Sequence, residues 1–162
     1  MRVAARTIRI HRAPVFALWG TVVAERLGYN RDTALTLGHA LAGLNDVPHA
    51  EAPTGVTEVE LLGRLIPAVE TPDGLRALIE KTPCSPALAE RYFKNMFGDA
   101  LDEVRTGMER LARAYAPSEL MQDGLKLYEA FQPEVPSHGK GVGREEVLHP
   151  GRILALARLA ER

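Results

Sequence analysis

Between Pro14 and Leu44 apolar residues recur with helical spacing more densely than elsewhere in the chain. Val15, Leu18, Trp19, Val22 and Val23 fall at i, i+3, i+4, i+7 and i+8, and Phe16, Gly20, Val23 and Leu27 form a second stripe beside them. Thr21, Glu25 and Arg26 are the clearly polar residues of this segment. A helix so apolar around its circumference is expected inside the domain, with Trp19 buried at the centre of the packed helices. Pro14 suits its first position, and Gly28 suits an ending in the left-handed conformation. A second helix is expected to follow, capped by Asn30 or Asp32, with Leu35, Leu37, Leu41 and Leu44 as its contacts.

Further on, the pattern predicts a series of amphipathic helices. Thr57 precedes EVELLGRLIPAVE, Thr71 and Pro72 open TPDGLRALIEK, and Ser85 and Pro86 open SPALAERYFKNMFG, in which Leu88, Tyr92, Phe93, Met96 and Phe97 read as core. Asp99 is placed as the cap of ALDEVRTGMERLARAYA, Ser118 opens ELMQDGLKLYEAF, and RILALARLAER ends the chain with Ile153, Leu156 and Leu159 as its docking residues. The fold expected is all-α, a single domain over residues 1–162 with seven or eight helices and residues 14–44 as its central helix pair. At most a minor β-hairpin is added by the N-terminal arm, where Ile8 and Ile10 alternate with polar residues, and the segment around Val147. The chain shows no repeated strand-helix-strand punctuation, which argues against a parallel sheet.

Composition narrows the class. The 162 residues, 46% hydrophobic and 25% charged, describe an ordinary globular protein with a net charge of -1 and no global attraction for nucleic acid. The charge is uneven, however. Residues 1–45 hold six Arg against two acids, net +4, and residues 46–80 hold two Arg against seven acids, net -5. Cys84 is the one cysteine, so no internal disulfide forms and a reducing compartment is expected. MRVAARTIRIHRA lacks the apolar core of a signal peptide, and no apolar run approaches the roughly 20 residues of a membrane span. The expected location is the cytoplasm.

The residues VVAERLGYNRDTALTL, Val22 to Leu37, resemble the helix-turn-helix of bacterial DNA-binding proteins. Leu27, Tyr29, Ala34 and Leu37 stand at the apolar positions of that motif, Gly28 permits its turn, and Ala24 is small where its two helices approach. The resemblance implies a nucleic-acid-binding or regulatory module that offers Arg31 and His39 to DNA from the outer face of the second helix. Arg9 and Arg12, with Arg2, Arg6 and His11, would then follow a phosphate backbone as a basic arm. Gly141, Val142 and Gly143 are similar to the glycine turn of a helix-hairpin-helix, which would add Lys140 and Arg144 as phosphate contacts. Leu35 departs from a DNA-reading face, and it favours the alternative of a non-enzymatic protein-protein interaction module in which this face meets a partner. More broadly, HRAPVFALWGTVVAERLGYNRDTALTLGHALAGLN and FQPEVPSHGKGVG resemble a group of short bacterial proteins with no assigned activity, which implies a bacterial, cytosolic chain.

Catalytic chemistry has little support in the spacing. His49 and Glu51 with Pro83 and Cys84 are similar to half of the zinc-deaminase signature, but Ala87 stands where its second cysteine belongs. Cys84 precedes a helix start, where amides lower a thiol pKa, yet no His neighbours it in sequence and a structural thiol is the simpler reading. No nucleophile, base and orienting group can be assembled, so no enzyme activity, metal or cofactor is expected. The expected partners are DNA, another protein or a second copy of the chain, with no membrane.

Overall fold

In a computed structural model, residues 7–43, 56–134 and 146–161 are described. Chain order runs β1 (Ile8–Arg9), α1 (Arg12–Leu27), α2 (Arg31–Gly43), β2 (Thr57–Leu61), β3 (Arg64–Thr71), β4 (Gly74–Ile79) and β5 (Thr82–Pro83). It continues with α3 (Pro86–Phe97), a single 3-10 turn over Gly98–Ala100, α4 (Leu101–Arg113), α5 (Pro117–Phe131), β6 (Val147–Leu148) and α6 (Pro150–Ala160).

The all-α expectation of seven or eight helices is overturned by residues 57–83. In place of two helices, this stretch is an antiparallel meander of four strands in the order β2, β3, β4, β5. Its pattern is in fact two-residue alternation: Val59 and Leu61 are buried while Glu58 and Glu60 point away, and Ile66 and Ala68 continue the buried row. Pro67 would break a helix through GRLIPAVE but is accommodated within β3 opposite Glu58. Thr71 and Pro72 mark a turn and not a helix start. Thr71 pairs with Gly74 across it, Thr71 Oγ1 donates to the Gly74 carbonyl at 2.8 Å, and Gly74 takes φ +122°. The other two loops each place two residues at positive φ, Leu62 and Gly63 in one, Glu80 and Lys81 in the other, the geometry that matches the twist of a tight hairpin. A second, two-stranded ladder pairs β1 with β6, Ile8 opposite Leu148. It joins the N-terminal arm to the segment around Val147.

The core is centred on α1. Val15, Ala17, Leu18, Trp19 and Ala24 are fully buried, and Trp19 packs edge-on against Phe131 while its indole N–H donates to the Gly124 carbonyl at 2.9 Å. The helix begins at Arg12, two residues before Pro14, and ends on Gly28 at φ +114°. Asn30 Oδ1 accepts from the Thr33 amide at 2.8 Å, capping α2. Helices α1 and α2 approach closely at Gly38, where a Cβ would come within 1.9 Å of Thr21 Oγ1.

The sheet lays its buried row against α2. Thr33 Oγ1 donates to the Leu75 carbonyl at 2.8 Å, and Thr36 Oγ1 accepts from the Ala77 amide at 3.1 Å, which fixes β4 to the first half of α2. Helix α3 then crosses α2 from the other side. Phe93 and Phe97 are buried, whereas Leu88 and Met96 are exposed, so the apolar stripe read in α3 is only partly core. Similarly α6 docks through Ile153 and Ala157 and leaves Leu159 65% exposed. Asp99 lies in the 3-10 turn, and α5 begins at Pro117, with Glu119 accepting from the Ala116 amide at 2.7 Å. No described helix is long and apolar enough to cross a membrane.

Candidate functional site

Where β5 stops after two residues and the chain turns into α3, the edge of β4 is left open. An open cleft of about 830 Å³ forms there, bounded by the start of α2, the β3–β4 turn, Arg76 and the residues from Pro83 to Ala87. Its position follows from local sequence. Pro83 and Pro86 bracket Cys84 and Ser85 and end the strand, Ser85 Oγ caps α3 by accepting from the Leu88 amide at 3.4 Å, and the Asn30 cap starts α2 beside it.

Three groups with chemistry meet at this place. Cys84 is held by its amide on the Ala77 carbonyl at 2.7 Å, and its Sγ lies 3.4 Å from His39 Nδ1. The His39 ring is stacked on Tyr92, with centroids 4.6 Å apart. Burial pushes the Cys84 thiol up to about 11, against the pull of the nearby Arg76 charge, and lowers the His39 pKa. Both shifts favour neutral forms, so this is a thiol and a neutral imidazole and not a thiolate-imidazolium pair. The third group is Arg76, 7% exposed, whose guanidinium donates to the carbonyls of Asp73 and Leu75, each at 3.0 Å, and to Thr33 Oγ1 at 3.5 Å.

The residues singled out from sequence fall into two places. Arg31 and His39 lie on the side of α2 covered by α3. Arg31 is exposed but paired with Glu90 at 3.5 Å, Leu35 between them is 3% exposed, and His39 is half-buried. Arg9 on β1 and Arg12 at the start of α1 lie beside the β6 ladder, where Arg12 forms an ion pair with Glu146 and its Nε also reaches the Pro133 carbonyl at 3.4 Å. Lys140 and Arg144 lie outside the described residues, as do Arg2, Arg6, His49, Glu51 and the glycine turn at 141–143. Among the described residues no group of three or more His, Cys, Asp or Glu side chains could hold a metal ion.

Sequence reasoning missed Arg76 and the pairing of Cys84 with His39. The pair spans 45 residues and depends on the β4–β5 turn bringing Cys84 under α2, a relationship with no local signature. A buried arginine within what reads as an amphipathic segment was the one signal available, and it becomes visible only once the segment is a strand. Comparison with family models, with curated proteins and with solved structures finds no match for this chain.

Proposed function

We propose that the chain is a non-enzymatic, cytoplasmic protein-interaction module that docks a basic, amphipathic segment of a partner on the outer face of its four-stranded sheet. The observation carrying this reading is an apolar row on the sheet face turned away from α2. Leu65, Pro67 and Val69 of β3 share that face with Leu78 of β4 and with Pro83, which stands opposite Leu78 on β5, while Arg76, opposite Val69, lies on it and bonds to Thr33 of α2. Leu65 is 42% exposed and Pro83 is exposed. Glu60 stands opposite Leu65, so a carboxylate borders the row on the β2 side. An apolar stripe bordered by a carboxylate is complementary to a partner with apolar anchors and a flanking Lys or Arg.

Reading DNA through α2 has weaker support. A helix entering the major groove must present its outer face to bases. Here α3 lies on that face, with Leu35 beneath it, His39 against Tyr92 and Arg31 engaged by Glu90.

The test is affinity capture from native lysate with the intact chain and with Leu65→Glu, measuring retained protein and nucleic acid together, followed by titration of each retained protein against both. A protein that binds the intact chain and binds the variant at least about tenfold more weakly supports the proposal. Equal retention by the two forms overturns it. So does retention of DNA that is weakened by Arg31→Ala, which would return the function to α2.

A further inference from the structure

We propose that the cleft beside β4 binds a small zwitterion, a compound carrying a carboxylate and an ammonium group in the manner of a free amino acid. Arg76 stands opposite Val69 and so belongs to the outer sheet face, but its guanidinium bonds to Thr33 of α2, and the zwitterion site does not rest on the docking of a partner.

Arg76 is the anchor of the site. The residue is 7% exposed, yet among the described residues the acceptors of its guanidinium are two carbonyls and one hydroxyl. No carboxylate lies within ion-pair distance of it among the described residues. A buried cation without a counter-charge is costly, and the cost falls when an anion arrives. The bonds described above use its two terminal nitrogens. Among the described residues its Nε–H has no acceptor, and Arg76 lines the cleft.

A second donor lines the same cleft. At the start of α3, Pro86 has no amide hydrogen, the Leu88 amide is taken by Ser85 Oγ and the Ala89 amide by the Ser85 carbonyl, which leaves the Ala87 amide, among the described residues, as the donor without an acceptor in the first turn of a 12-residue helix. Arg76 and Ala87 together offer an anion one charged and one dipolar contact.

The rim decides what kind of anion. Arg31 is already matched by Glu90, while the exposed Asp32 and Asp73 carry carboxylates with no cation within ion-pair distance among the described residues. Two acids at the mouth repel polyanions such as nucleic acid or nucleotide phosphates, and they attract an ammonium group. A carboxylate on Arg76 and an ammonium toward Asp32 and Asp73 satisfies both ends.

The experiment follows the NMR resonances of Arg76 Nε–H and the Ala87 amide during titration with each of the free amino acids, acetate, methylamine and inorganic phosphate. At least one amino acid should shift both resonances with a dissociation constant of about 1 mM or tighter, at least tenfold tighter than acetate or phosphate. Arg76→Gln should remove the binding. Asp32→Asn, an exposed substitution that leaves the core untouched, should erase the preference for the amino acid over acetate. The proposal is overturned if none of the amino acids shifts the two resonances, if acetate or phosphate binds as well as the best amino acid, or if folded Arg76→Gln or Asp32→Asn behaves as the unaltered protein does.

Discussion

The Cys84 thiol and the His39 imidazole are neutral neighbours, Sγ 3.4 Å from Nδ1, although Cys84 sits two residues before the start of a helix whose amides would by themselves favour a thiolate. Burial outweighs the Arg76 charge, and the thiol is held at about 11. Alkylation of this sole cysteine should therefore be slow at neutral pH and rise about tenfold per pH unit up to about 10 with no plateau, because the thiolate fraction grows in that proportion. A plateau near neutral pH in an iodoacetamide rate profile would contradict the neutral pair. The folded pKa is above the ordinary 9.0, so the stability this thiol contributes is present below 9 and lost as pH rises toward 11.

His39 carries the opposite sign. Its folded pKa is depressed by burial against Tyr92 and Cys84, so its contribution to stability is complete above the ordinary value of 6.5 and is lost as pH falls through the folded value. The melting temperature should decline on acidification below 6.5, and His39→Gln should flatten that part of the profile. An unchanged slope in the variant would assign the acid sensitivity to other groups.

Trp19 combines a fully buried ring with a buried indole hydrogen bond to Gly124. Trp19→Ala should cost about 3 to 5 kcal/mol in denaturant unfolding, and Trp19→Phe about 1 to 3 kcal/mol because the Gly124 carbonyl loses its donor. Native fluorescence should be blue-shifted relative to the unfolded chain; emission typical of full exposure would place Trp19 elsewhere.

Gly38 has no room for a side chain. Its Cβ would meet Thr21 Oγ1 at 1.9 Å, the Ala17 carbonyl oxygen at 2.5 Å and the Thr21 amide nitrogen at 2.9 Å. Gly38→Ala should destabilise the protein by about 1 to 3 kcal/mol or more as α1 and α2 are forced apart. Adding Thr21→Ala should not restore stability, since two of the three clashes are with backbone. Full rescue by the double substitution would show that only the hydroxyl is in the way.

Local patterns were enough to read α1 and α2 from sequence. Val15, Leu18, Trp19 and Val22 recur at the helical period, and Gly28 has the positive φ that its position implies. That information lies within a few residues and survives without neighbours. The segment from 57 to 83 was misread because Leu61, Leu62, Leu65 and Ile66 satisfy a helical period as readily as the alternation of Val59 and Leu61. What settles it is pairing between strands, which no single segment contains. Two of the three turns also lacked a strong signal, since Glu80 and Lys81 adopt positive φ without the Asn or Gly that announces such a loop, and Leu62 does so beside Gly63. The cleft was out of reach for the same reason. Arg31 and His39 were picked out for their chemistry, but whether their face meets solvent or α3 depends on where residues 86–97 pack. Arg76 acquires its meaning only after β5 ends short and leaves the edge of β4 open beneath the first turn of α3. Sequence sets the period, caps and charge of each segment. Only tertiary structure decides which faces are covered, because burial is a property of two segments at once and the residues that cover a face lie tens of positions away in the chain.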